Sequence, residues 1–248
     1  MKLILRKFLQ GWSKMSLENS LENIKRFLKK RYKDNLAAIV VFGSANTGHY
    51  KDGESDIDLI LLLKSKKRLN MEEERESLFE DFEKENAKII HFKTLSNYEK
   101  HIYKKGSWSS WITIIDGSKK IYSTPEFQKF RKRLIFKPIP KKKLIEYLKT
   151  KDRFELEGYL KKEKGFVLTK GLFSHIRRKL QIINYFENQD IIFDYERCLD
   201  NINLVNDKKR KLEKLYSYYN KRKSLPKNGI KNYYKTAKDL TKRILKDI

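Results

Sequence analysis

The chain has 248 residues, with 58 Lys or Arg against 32 Asp or Glu, a formal charge of +26; this length buries one large core or, as expected here, two smaller ones. Its one cysteine, Cys198, rules out an internal disulfide framework, and no His or Cys spacing suits a structural zinc. No run approaches the roughly 18 apolar residues of a membrane span, and Arg6 and Lys7 interrupt the N-terminal MKLILRKFLQGW before it reaches signal-peptide length, so a cytoplasmic protein is expected.

In chain order, residues 16–34 predict an amphipathic helix, with Ser16 as N-cap and Leu17, Leu21, Ile24, Phe27 and Leu28 at helical spacing. Ala38 to Phe42 is a short apolar run closed by Gly43-Ser44, and a second apolar run extends from Asp56-Ile57-Asp58 to Leu63. Both read as buried strands, because each is four to eight residues long, rich in β-branched residues, and bounded by Gly, Ser, Asn or Asp. A polar loop carrying Gly48 and Gly53 joins them. Beyond lie a basic loop at 65–70, an acidic helix over 71–86, a third strand over 87–92 and a helix over 95–104. The Trp108/Trp111 segment follows, and Ile112 to Asp116 with a turn at Gly117 predicts a short hairpin to Ile121-Tyr122.

A helix over 126–134 ends before Pro138-Ile139-Pro140, since proline removes a donor and disfavours helix at the preceding residue. We therefore expect one domain at 1–138 and a second at 139–248. The second keeps a 3.6-residue period, as at Leu168, Leu172, Phe173, Ile176, Leu180 and Ile183, and predicts a bundle of four to six helices. It is also the more basic part: residues 141–248 hold 29 basic and 14 acidic residues, residues 1–140 hold 29 and 18. Such an excess suits a protein that meets a polyanion. Tyr185, Tyr216, Tyr218, Tyr219, Tyr233 and Tyr234 lie among the clusters 177–179 and 208–211, which is consistent with stacking bases and gripping phosphates, or with core tyrosines beside solvated charges.

The chemistry concentrates between the first two strands. Residues two apart on a strand share a face, so Asp56 and Asp58 project together. Paired carboxylates call for a cation, and Mg²⁺ is held through one or two carboxylates plus substrate phosphates. Gly43 lets backbone approach a phosphate, and the Ser44 hydroxyl can donate to its oxygens.

Phe42-Gly43-Ser44, the spaced loop and Ser55-Asp56-Ile57-Asp58-Leu59 together resemble the DNA polymerase β-like nucleotidyltransferase superfamily, in the form with a minimal, kanamycin-nucleotidyltransferase-like N-terminal domain and a helical C-terminal domain. The resemblance implies an α+β fold, with a mixed sheet flanked by helices followed by an α-helical bundle. It also implies Mg²⁺ or Mn²⁺ on Asp56 and Asp58, and an NTP, ATP first, on Gly43, Ser44 and Ser55. Transfer of a nucleoside monophosphate to a hydroxyl, with release of pyrophosphate, would follow. The family's third carboxylate has no match here, because Lys88 stands at its position. His91 is a candidate general base, and Glu155, Glu157 and Glu163 of the second domain are alternatives by analogy with antibiotic-modifying relatives. The charge favours an RNA acceptor, such as a tRNA end, over a cationic small molecule. A protein hydroxyl, a small molecule, and a silent module of the toxin–antitoxin type that binds nucleic acid or a partner protein stay open.

Overall fold

A computed structural model describes residues 16–47, 50–52, 55–66 and 69–247. The N-terminal stretch read above, with Gly48 and Gly53 of the loop, lies outside them. The fold is α+β. Two compact units divide the chain, residues 1–98 with 118–132, and residues 99–117 with 133–248, so the second unit claims a segment that precedes the Pro138 break.

The first unit is built on a four-stranded mixed sheet of order β3-β2-β1-β4, with β1 at Leu36–Phe42, β2 at Ile57–Leu63, β3 at Ala87–Thr94 and β4 at Lys119–Ser123. β1 pairs antiparallel with β2 and with β4, and β2 pairs parallel with β3. The two central strands are almost wholly buried, which is why their sequences are continuous apolar runs rather than alternating ones. Edge strand β4 is short and begins with Lys119-Lys120, a composition that discourages pairing with another chain.

One face of the sheet (Ile39, Val41, Ile57, Leu59, Leu61, Ile89) packs against α1 (Leu17–Tyr32), through Ile24 and Leu28, and α3 (Met71–Asp81), through Leu78. Ser16 caps α1 by accepting from Asn19 N at 3.3 Å. Arg31 ties the two helices by donating to Asp81 at 2.6 Å and Glu74 at 3.2 Å. Asn35 clasps the far end of β2: its Oδ1 accepts from Ser65 N at 3.0 Å and its Nδ2 donates to Ser65 O at 3.1 Å. Asn35→Ala should lower stability by about 1–2 kcal/mol, read as a shift of the urea midpoint at unchanged slope.

Two local expectations change. The acidic helix ends at Asp81 instead of Asn86, because the chain turns through 82–86 and Asn86 adopts the left-handed region (φ 50°) that terminates helices. The 108–116 segment is no hairpin arm. Trp108–Ile115 is helix α5, buried along nearly its whole length, and β4 finds its partner in β1.

The second unit also holds most of α4 (Leu95–Lys105), the end of α6 (Pro125–Phe136), and six further helices: α7 (Lys141–Tyr147), α8 (Arg153–Lys162), α9 (Gly165–Asn188), α10 (Tyr195–Asn201), α11 (Asn206–Asn220) and α12 (Lys227–Asp247). Phe173 of α9 stacks on Tyr219 at 4.0 Å and packs on Tyr195 at 4.8 Å, and Tyr185 lies against Trp108 and Trp111. Tyr185, Tyr195 and Tyr219 thus take part in internal packing. The basic cluster at 177–179 turns partly inward. Lys179 is fully buried, and Arg178 bonds Tyr147 and Glu155. The Arg177 guanidinium lies over Phe193 at 4.8 Å and Phe173 at 5.8 Å, where burial pulls its pKa down. No described helix is long and apolar enough to cross a membrane.

Candidate active site

β1 delivers its end, Phe42, opposite Asp58 of β2. The next residue, Gly43, has φ +68°. A Cβ added there would lie 2.7 Å from Asp58 Oδ2, so glycine is required twice, by its backbone and by the carboxylate folded over it. Ser44 opens a four-residue helical turn, α2 (Ser44–Thr47), in which Asn46 N donates to Gly43 O at 3.2 Å. Gly43, Ser44 and Asp58 are thus brought together at one end of the β1–β2 ladder.

Asp56 is bracketed by its neighbours. Ser55, buried, donates its N–H to Lys51 O at 2.9 Å, and its hydroxyl accepts from Lys51 N at 3.1 Å. Ser55, which the resemblance implies for nucleotide binding, thus also uses its side chain as an acceptor within the loop before Asp56. On either side of Asp56, Asn86 Nδ2 donates to Ser55 O at 3.1 Å and Ile57 N donates to Asn86 O at 3.0 Å. Asn86 is a positioning residue that sequence reasoning misses by placing it in the acidic helix. Its signal is an asparagine directly before an apolar strand, since asparagine tolerates the left-handed region and bonds nearby backbone. Asn86→Gly keeps the backbone and loses the amide, and should cost about 0.5–1.5 kcal/mol in urea unfolding. Asn86→Ala should cost more, because a Cβ in the left-handed region adds about 1 kcal/mol.

Lys88 faces this pair from β3. Its Cα pairs with that of Asp58, while its Nζ donates to Asp56 Oδ2 at 2.6 Å. The bond to Asp56 raises the Lys88 pKa; burial opposes the rise, and the charges of Asp56 and Asp58 add to it. Both partners are over 40% exposed, so water screens the pair, which is worth at most about 1 kcal/mol. The Tyr50 hydroxyl is pushed up by burial first, then by the charges of Asp52 and Asp56.

His91 takes the rung beside Ile60, two residues beyond Asp58 along β2, after a register shift in the β2–β3 ladder. Its ring meets buried Tyr98 edge-on at 5.4 Å. Glu155 belongs to the second unit, where it accepts from Arg178 at 3.4 Å. Among the described residues no group of three or more His, Cys, Asp or Glu gathers as a metal cage. Two carboxylates beside an opened glycine corner do fit Mg²⁺ of the kind shared with substrate phosphates.

Comparison with known proteins agrees with this fold. The family profile described as "Nucleotidyltransferase domain" matches residues 21–188, from within α1 to the end of α9. Among solved structures the chain is similar to the spectinomycin adenyltransferase AAD(9) from Enterococcus faecialis, determined with ATP and spectinomycin. The likeness has a TM-score of 0.55 at 14% identity and covers 92% of this chain and 98% of that one, a likeness of fold. No curated protein matches the sequence significantly.

Proposed function

The chain belongs to the nucleotidyltransferase domain family, and we propose that it transfers a nucleoside monophosphate from a nucleoside triphosphate, ATP first, to a hydroxyl acceptor. The observation that carries this reading is the Asp58 carboxylate folded over Gly43, with Asp56 directly before β2 and the charges of both carboxylates felt by Lys88. Asp56 and Asp58 hold Mg²⁺ or Mn²⁺. When bound, the metal supplies charge neutralisation on the phosphates. Gly43 leaves room for the Asp58 carboxylate, and the Ser44 hydroxyl donates to the triphosphate oxygens. The acceptor oxygen attacks the α-phosphorus, the bond to the β-phosphate oxygen breaks, pyrophosphate leaves, and the hydroxyl proton passes to a base. His91, on the sheet that carries Asp58, is the candidate base.

For the acceptor we favour RNA, on the net charge of +26. A small-molecule hydroxyl is the second reading, supported by likeness over nearly the whole chain to an enzyme solved with ATP and spectinomycin. The Lys88 ammonium on Asp56 favours a third, binding without turnover. Supplying α-labelled ATP, CTP, GTP or UTP with Mg²⁺ or Mn²⁺ to total RNA, total protein and a panel of aminocyclitols separates them. Label in RNA supports the first reading and label in an aminocyclitol the second. No label anywhere, with nucleotide still bound, leaves the silent module.

A further inference from the structure

We infer that Lys88 is a resident counter-ion beside Asp56, so that the site takes one divalent cation, carried in with the nucleotide, rather than two. The inference rests on the transfer reading above and concerns how its metal is held. Asp56 and Asp58 bring two negative charges, and sites that clamp both the attacking and the leaving oxygen of a phosphoryl group place two metals about 3.5–4 Å apart between such carboxylates. Here Asp56 Oδ2 already accepts from an ammonium at 2.6 Å, and no third carboxylate joins the pair among the described residues. A dication at that oxygen would face the ammonium at close range, where like charges repel.

The placement of Lys88 is built into the backbone. Its Cα stands opposite Asp58 in the β2–β3 ladder. Two residues earlier, Asn86 fastens the same strand to both flanks of Asp56, through Ser55 O and Ile57 N. The loop that carries Asp56 and the strand that carries Lys88 are therefore locked at one level, which keeps the ammonium within reach of the carboxylate. Lys88 thus offsets one of the two carboxylate charges and leaves the Asp58 carboxylate beside the Gly43 corner. Such a site is a poor trap for a free dication, and a good one for a metal already bound to a triphosphate.

Counting bound Mn²⁺ by electron paramagnetic resonance tests this, in wild type, Lys88→Met and Lys88→Arg, each with and without α,β-methylene-ATP. Wild type and Lys88→Arg should bind free Mn²⁺ weakly and hold one ion per chain once the nucleotide analogue is present. Lys88→Met should bind free Mn²⁺ at least tenfold more tightly and accept a second ion with the analogue. Two ions in the wild type, or an unchanged affinity in a folded Lys88→Met, would overturn the role of Lys88 and leave the transfer reading standing. No ion bound by any variant, even with the analogue, would overturn the transfer reading itself.

Discussion

Asp58→Asn should reduce nucleotidyl transfer at least about 10³-fold while the far-UV circular dichroism and the urea midpoint stay close to wild type. The size follows from the role. A metal held on phosphoryl oxygens contributes several kcal/mol of charge stabilisation, and each 1.4 kcal/mol is a tenfold rate. The amide keeps the shape and the contact over Gly43 but carries no charge. Asp56→Asn should also lower transfer, by a smaller factor because Lys88 already engages Asp56 Oδ2, and it should release that ammonium. Label transfer in both variants within tenfold of wild type would sink the metal assignment.

Gly43→Ala should cost both stability and transfer, and for separable reasons. The left-handed backbone at φ +68° costs a residue with a Cβ about 1–2 kcal/mol. The new methyl also meets Asp58 Oδ2 at 2.7 Å, closer than real carbon–oxygen contacts, so the carboxylate must swing away from the corner. The urea midpoint should drop by the equivalent of about 2 kcal/mol, and transfer should fall at least tenfold beyond any unfolded fraction. Gly158 supplies the control. It sits within α8, where an added methyl would meet nothing within 4 Å, so Gly158→Ala should leave transfer unchanged and raise stability by about 0.5–1 kcal/mol. A Gly43→Ala protein as active as wild type would mean that the Asp58 position is irrelevant to the reaction.

The sheet centre and the carboxylate pair are legible in the sequence because they are local. β1 and β2 are apolar runs with punctuation at both ends, and the second run brings Asp58 onto β2 with Asp56 directly before it. What escapes depends on partners distant in sequence. Trp108, Trp111, Ile112 and Ile115 follow helical spacing, but the β-branched run Ile112-Thr113-Ile114-Ile115 reads equally as a strand. Arg177-Arg178-Lys179 looks like a solvated charge run, yet Lys179 falls three residues after Ile176 and four before Ile183 on the buried side of α9. The resemblance puts Lys88 where a third carboxylate would face the pair, but its bond to Asp56 in particular depends on the register of two parallel strands that no turn connects.

The strand order also governs how this chain can be made. β1 emerges early in synthesis, but its second neighbour is β4: Ala38 waits for Ser123 while the intervening 99–117 segment is committed to the other unit. Until then the most apolar strand of the protein presents an open edge on a nascent chain, an aggregation-prone species and a slow, non-local closure. A shortened version ending at residue 98 would keep every residue of the sheet-borne candidate site and still lack the strand that seals it. Fragments intended for study should therefore extend past β4.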